Sequence, residues 1–591
     1  MANKDNNMSD VASNGTGRII PFDLSSFLAA YGSFLVLAGL NILIYARILA
    51  FSLTGLDDTT LIAGGGAYAL SYKSMLRLFS TVLAPECFQY FYRPLLMISF
   101  IVDAHLHPYI PFIFHATNIV IHVAASSLLF VFLRKLDYRP ATSLFFAALF
   151  AAHPVLTPAV AWIPGRNDSL LGLFVLASFV AYINYLQSRN VRHYALHMFA
   201  FAGALFVKES GIAMLALLPV YPRLVQRRQS AARRDYACYA GWMLIVAGWA
   251  SLKMYAAGAK TPVMPAVFVS LLAALPSLPQ YLGKAIFPLQ LSNLATQKDT
   301  PWFYGIAACL LVALGLIFSK GRRNGRVIFG TMWFVLFLAP TLMFQNDFKL
   351  EHRLYVPIVG LFLVLSETGI PSVISVRWQK ALQILAIAVF GVLAFNYADV
   401  FSGPLVFWTN AARTSPRNPW VHSGLGRTYA EMRLGAPALR EFERAYELEP
   451  KHTPNSSIFA FDLGSIYMDA GKLPEAENVF KNAIAAGSGN FSKIYFLYGS
   501  LCRRQNRLPE AEQFYKQALR INPRYIDYYK GLIELYEVQG REKKSAVYRG
   551  MIQRLAKDDG ASLMYIDAAS ARWLSGIMNN ETRNACRRGA D

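Results

Sequence analysis

Two adjacent carboxylates, Asp57 and Asp58, follow directly on a long apolar run in "ILAFSLTGLDDTTLIAGG". An acid at the edge of such a run is either solvated and idle or functional, because burying a charge at membrane depth is costly. Partial desolvation, or a neighbouring acid, raises a carboxylate's pKa and suits it to take a proton from a hydroxyl. Which of the two would do so is open from the sequence. Three further stretches carry complementary groups. "IPGRNDS" offers Arg166, Asn167 and Asp168, "FVKES" offers Lys208 and Glu209, and "NDFKLEHRLYVP" gathers Lys349, Glu351, His352, Arg353 and Tyr355. Arginine beside histidine suits a phosphate, since a guanidinium presents planar, charge-assisted donors. A solvated loop at Arg166–Asp168 and a simple Lys208–Glu209 ion pair are the alternatives there. "FHATNIVIH" places His115, Asn118 and His122 on one helix face. They serve either a site or the hydrogen bonds that join membrane helices.

A membrane bundle must position these groups. The chain has 591 residues, 55% of them hydrophobic and 14% aromatic, and only 16% are charged, against roughly 25% in soluble domains. Long apolar stretches run from 26 to 401, and ordinary soluble sequence begins near 404. A span needs about 20 apolar residues. Residues 26–50, 115–133, 141–163, 169–187, 236–256, 302–319, 327–345, 354–374 and 381–401 qualify. Residues 195–222 read better as a hairpin turning at Lys208-Glu209 than as one span, because both flanking basic clusters then stay on one side. The total is about eleven spans, with the N-terminus inside and the soluble tail outside.

The net charge of +21 does not indicate nucleic acid, because the Lys and Arg fall in short clusters between apolar runs, as cytoplasmic loops do. Five cysteines without CxxC or His-linked spacing give neither a disulfide framework nor a zinc site. The first apolar run is too long for a signal peptide and lacks a cleavage site, so it reads as a retained span. Walker, GxGxxG, GxSxG and HExxH patterns are absent from the sequence. "AGGGAY" lacks the following lysine and helix of a phosphate loop.

Residues 417–558 repeat with a period of about 34, that of tetratricopeptide helix pairs. Gly426, Tyr429, Ala438, Phe442, Ala445 and Pro450 fill the signature positions of the first copy. Gly464, Tyr467, Ala476, Phe480 and Ala483 fill those of the second, and Gly499, Ala511, Tyr515, Ala518 and Pro523 those of the third. A fourth copy, from "YKGLIELYEVQG", is more divergent. Small residues let two helices approach, and large ones fill the gap to the next repeat.

"LDDTTLI", "YRPLLMISF", "FHATNIVIHV", "HPVLTPAVAWIPGRNDSLL", "FVKESGIAM" and "EHRLYVPIVGLFL" run in this order ahead of the repeats. As an ordered set they resemble the transmembrane-and-tetratricopeptide-repeat O-mannosyltransferases, which belong to the GT-C class of polyprenyl-phosphate-sugar glycosyltransferases. Thr59-Thr60 and His352 depart from that pattern. The resemblance implies an all-α protein: a polytopic GT-C-like membrane bundle followed by a soluble tetratricopeptide α-solenoid. The expected division is a cytoplasmic tail (1–25), a catalytic membrane domain (26–403, first outer loop 51–114), the repeats (404–558) and a C-terminal cap or tail (559–591).

It further implies transfer of mannose or another hexose from a lipid-phosphate carrier to a protein Ser/Thr hydroxyl on the non-cytoplasmic side. Asp57 and Asp58 would then be catalytic, with Arg353, His352, Arg166 and Lys208 on the lipid phosphate. Glu209, Asp168, His115, Asn118, Arg93 and Tyr355 would support them. Direct displacement inverts the anomeric centre. The expected partners are the lipid carrier and an acceptor protein on the repeats, with no nucleic acid. No cofactor is obligatory; an acidic pair also suits a divalent ion, but the metal-free version is the expectation. The setting read from the sequence is a prokaryotic plasma membrane with the site outside, or the endoplasmic reticulum with lumenal repeats. A ligase acting on lipid-linked glycan and a non-catalytic scaffold are the rival readings.

Overall fold

The computed structural model describes residues 24–58, 61–62, 75, 78–79, 91–106, 111–227, 235–257, 275–296, 299–342, 350–368, 375–449, 456–486 and 491–558. Most of the expected N-terminal tail and about half of the first outer loop lie outside the described residues. So do Thr59-Thr60, "AGGGAY", Lys349, Pro450 and the expected cap 559–591. The described residues are helical with no β-strand, so the chain is all-α.

In chain order the longer helices of the membrane half are α1 (Leu24–Tyr45), α2 (Pro94–Leu106), α3 (Pro111–Lys135), α4 (Pro140–Ala151), α5 (Arg166–Ser188), α6 (Val191–Val207), α7 (Asp235–Ala257), α8 (Ser277–Ile286), α9 (Trp302–Ile317), α10 (Asn324–Leu342), α11 (Pro357–Leu365) and α12 (Val376–Ala398). Next comes α13 (Pro404–Thr414), and then four helix pairs: α14 (Pro419–Glu431) with α15 (Gly435–Leu448), α16 (Ser456–Asp469) with α17 (Leu473–Ala485), α18 (Ser492–Arg504) with α19 (Leu508–Ile521), and α20 (Ile526–Val538) with α21 (Glu542–Asp558).

Five stretches are long and apolar enough to cross a membrane: Tyr31–Ala50, Pro111–Lys135, Ile163–Ser188, Asn324–Leu342 and Val376–Phe401. A sixth is the pair Pro140–Ala151 and Pro154–Ala161, bent by 51°. The protein is thus integral to a membrane, but the described helices do not reproduce the expected count. Apolar length alone overlooked several breaks. Residues 141–163 bend at His153-Pro154, where a proline removes a backbone donor. Of residues 354–374, the described ones (354–368) hold the short α11. α7 has the length, but Tyr, Trp and Gly dilute its apolar character. In 195–222, α6 stops at Val207, and Lys208 is extended at φ −157, ψ 139. Only a 3-10 turn and short helical turns follow. The break falls where the hairpin turn was expected, but the second arm is not one helix.

The bundle's two ends differ in chemistry. At one end two of the basic loops, those of Tyr138 and of Arg323 with Arg326, meet around buried Glu367. It accepts from the Tyr138 hydroxyl (2.8 Å) and Arg323 Nε (3.0 Å), and Arg326 lies 3.8 Å away. Both guanidinium groups also stand over the Tyr138 ring. The candidate site residues lie at the opposite ends of the same helices: α5 begins at Arg166, and α11 begins just after Arg353.

In the repeats, glycine on the first helix of a pair faces an aromatic ring on the second. A Cβ on Gly426 would lie 2.7 Å from the Phe442 ring, one on Gly464 2.1 Å from Phe480, and one on Gly499 2.7 Å from Tyr515. All four first helices also end alike. Arg433, Gly471, Asn506 and Gly540 are left-handed, with φ of 61, 73, 60 and 66°. The following residue donates back to the carbonyl five positions earlier, as in Leu434→Tyr429 and Arg541→Tyr536. This is the Schellman closure, and the divergent fourth copy keeps it. Arg433 is an exposed residue with a Cβ in the left-handed region, so Arg433→Gly relieves about 1 kcal/mol of strain. The full chain's thermal midpoint is expected to rise; a fall would mean that the arginine side chain holds the turn.

Candidate functional site

The two acids part company in the fold. After the 3-10 turn Ala46–Ala50 the chain runs extended and then curls at residues 54–58. Asp58 is buried, at 1% exposure, because it holds that curl. Its Oδ2 accepts from the Thr54 N–H and from Thr54 Oγ1 (2.9 Å), and its Oδ1 accepts from the Leu56 N–H (3.1 Å). Asp57, beside it, is only partly exposed. Burial, and then the neighbouring Asp58 charge, push its carboxyl up to about 7, with Arg93 pulling the other way. A carboxyl group near 7 has the proton affinity of a working base at neutral pH.

Asp168 gathers the cationic side. It sits in the first turn of α5, and Lys208 Nζ reaches both its oxygens (2.6 and 2.7 Å) as well as Asn167 Oδ1 (3.0 Å). His352 Nε2 lies 3.8 Å from the same carboxylate, with its ring against Trp162. Arg93 Nε bonds Glu209 Oε2 at 3.2 Å, and Glu209 Oε1 accepts from the Tyr92 N–H (3.1 Å). Burial alone would raise the Glu209 carboxyl, but Arg93 and Lys253 hold it below its ordinary value. The fold thereby joins four of the sequence stretches.

The charges in this cluster are unequal. Burial pushes Lys208 down to about 8, although Asp168 opposes the shift. Burial also lowers His352 to about 3, leaving a neutral imidazole. The positive charge of the "EHRLY" turn therefore belongs to Arg353, which is partly exposed. Arg93 lies within electrostatic reach of Asp57, Lys208 and His352 alike. It bridges the acidic loop and the cationic cluster.

Arg166 is placed differently from the phosphate-binding expectation. It is fully buried, and each of its three nitrogens meets a protein acceptor. Nε bonds Asn118 Oδ1 (2.7 Å), Nη1 bonds Ser99 Oγ (3.2 Å), and Nη2 bonds the Phe114 carbonyl (2.8 Å) and lies 2.5 Å from Asp103 Oδ2. This network ties α2, α3 and α5 together. Asn118 also donates to the Val160 carbonyl (3.0 Å). On the same face, His122 Nδ1 pairs with the Tyr355 hydroxyl at 2.7 Å, and Nε2 with the Ala151 carbonyl at 3.3 Å. A carbonyl only accepts, so Nε2 carries the proton and Tyr355 donates to Nδ1. His115 is buried with its ring facing Phe51, centroids 6.4 Å apart. Asn118, His122 and Tyr355 are thus helix-to-helix bonds.

One node escaped the sequence reading, and another, Glu351, stood in it without a role of its own. Asp103, a lone acid in "MISFIVDAHL", is the partner of Arg166; its depth in an apolar run was the available signal. Buried Glu351 receives Lys284 Nζ (2.6 Å), the Ser292 N–H (2.9 Å) and the Tyr397 hydroxyl (3.1 Å). It anchors the turn that presents Arg353. Among the described residues no three His, Cys, Asp or Glu side chains cluster as metal ligands.

A tetratricopeptide-repeat family model matches residues 424–491 and 461–526. The chain is 37% identical over 155 residues to Protein O-mannosyl-transferase TMTC4 of Homo sapiens, covering 23% of this chain and 21% of that one. It is 35% identical over 141 residues to human Protein O-mannosyl-transferase TMTC1, covering 22% and 16%. The matches therefore span about a fifth of these relatives. Their names agree with the family whose motifs the chain resembles. Among solved structures, MamA 41-end from Desulfovibrio magneticus RS-1 matches 26% of this chain and 85% of that one, at 18% identity and a TM-score of 0.23.

Proposed function

We propose that the chain is a membrane glycosyltransferase that moves a hexose, mannose by the relatives' names, from a polyprenyl-phosphate carrier to a Ser/Thr hydroxyl of an acceptor protein. The observation that carries this reading is the partly buried Asp57 carboxyl standing within electrostatic reach of Arg93, beside the Lys208–Asp168 and Arg93–Glu209 ion pairs. Asp57 takes the proton of the acceptor hydroxyl. The hydroxyl oxygen bonds to the anomeric carbon from the face opposite the phosphate. The bond from that carbon to the phosphate oxygen breaks, and its electron pair leaves with the carrier phosphate. Arg353, with Arg93 and Lys208, stabilises the charge that develops there. Asp168 orients Lys208, and Asp58 shapes the loop.

The site faces the non-cytoplasmic side in this reading, because those two basic loops gather at the opposite end of the bundle. The shorter apolar helices complete the crossings, to about eleven. The repeats receive the acceptor protein. Purified full-length protein in nanodiscs, given polyprenyl-phosphate mannose and a Ser/Thr peptide, is expected to yield mannosyl-peptide. Its anomeric configuration, read by NMR, should be opposite to that of the donor. Retained configuration removes the direct displacement, transfer to glycan alone favours the ligase, and neither turnover nor donor binding favours the scaffold.

A further inference from the structure

The helix α13, first element after the membrane bundle, touches both halves of the candidate site. On one side it seats the acidic loop. The Ser52 N–H and Oγ bond the Ser402 carbonyl at 3.2 and 3.0 Å, just ahead of α13. Gly55, at φ 76°, lies so close that a Cβ there would stand 3.3 Å from Pro404 Cβ and 3.7 Å from Trp408 Nε1. Leu56 packs in the apolar cluster that holds Phe407 and Trp408. On the other side, α13 reaches the cationic turn through residues 292 and 293. Asn293 Nδ2 donates to the Phe407 carbonyl (2.9 Å), and Asn410 Nδ2 donates to Asn293 Oδ1 (3.0 Å). Ser292 pairs its hydroxyl with Thr414 (2.8 Å), while its N–H bonds Glu351, the neighbour of His352 and Arg353. Trp408 is itself set by the repeats: a Cβ on Gly424 of α14 would lie 2.2 Å from its ring.

We infer that α13 is a strut of the transfer site, with Trp408 and Asn410 as positioning residues that fix the acidic loop relative to the Glu351–Arg353 turn. The inference rests on the glycosyltransferase reading for its activity readout. Misplacing a reacting group by about 1 Å costs on the order of a hundredfold in rate. The repeat domain then does two separable things: its first helix sets the site, and the rest of the stack engages acceptor.

The test uses the full chain in nanodiscs, polyprenyl-phosphate mannose, and a free Ser/Thr peptide too short to lie along the stack. Trp408→Leu and Asn410→Ala are expected to lower kcat about 10- to 100-fold, with donor Kd changed less than about twofold, which also reports an intact bundle. Trp408→Phe keeps a ring over Gly424 and is expected to recover most of the rate. A raised peptide KM with unchanged kcat in both variants overturns the strut and leaves α13 as part of acceptor capture. Asp57→Asn run alongside separates the two readings. An active Asp57→Asn removes the base assignment, while a Trp408→Leu loss still reports a strut. An inactive Asp57→Asn with a fully active Trp408→Leu removes the strut alone.

Discussion

Asp57→Asn lowers kcat by about 10²- to 10⁴-fold, the range of a lost general base, while donor binding holds. The same variant is more heat-stable than the parent above neutral pH. Asp57's carboxyl rises from an ordinary 3.8 to about 7 on folding. Below pH 4 both states carry the proton and nothing differs. Between about pH 4 and 7 the folded state binds more proton than the unfolded one, so stability falls as pH rises and stays lowered above 7. An asparagine removes that penalty, and the gain in thermal midpoint should be larger at pH 8 than at pH 5. Asp58→Asn behaves differently, because Asp58 accepts from Thr54 and Leu56. It loosens the loop and destabilises at pH 8. Equal loss of kcat in both variants, with no opposite movement of stability, refutes the division of labour between the two acids.

Arg166→Met and Arg353→Ala separate in the opposite sense. Removing the Arg166 guanidinium leaves the Asp103 carboxylate buried and uncompensated, which costs about 3–5 kcal/mol. The folded yield of Arg166→Met in detergent should collapse, and Asp103→Asn combined with it should restore part of the yield. Arg353, on a turn already anchored through Glu351, is expected to be dispensable for folding. Arg353→Ala keeps a normal melt but weakens lipid-phosphate donor binding about 10- to 100-fold, in line with a charge-assisted pair of about 1.5–3 kcal/mol. Lysine at 353 recovers charge but not the planar fork. Donor binding that survives Arg353→Ala removes Arg353 from the phosphate site.

The contrast between these two arginines shows what was legible in the sequence. Both stood out as cations beside apolar runs. Only the fold distinguishes them, since the partners of Arg166 come from α2 and α3, far along the chain. The helical class, the three good repeats and the joining of "IPGRNDS", "FVKES" and "EHRLY" followed from composition, period and polar residues set in apolar surroundings. The span count goes beyond the five long apolar helices found among the described residues. An apolar run records how much chain is greasy, but not where Pro154 bends it or where hydrogen bonds to Glu351 and Glu367 confine a helix such as α11. Asp57 and Asp58 were indistinguishable as letters, because what separates them is the backbone curl that Asp58 closes. The fourth repeat was legible only as a divergent copy, because its side chains had drifted while its closing turn had not.

That shared turn has a consequence for how the molecule tolerates change. Four units closed by a left-handed residue at the same place stack as nearest neighbours, so their stability is nearly a sum of units and interfaces. Fraying that enters at α21 must cross three interfaces before it disturbs Gly424 and Trp408. Distance along the stack therefore acts as insulation: the far repeats are free to diversify, as the fourth has, while the first stays bound to the geometry it props up.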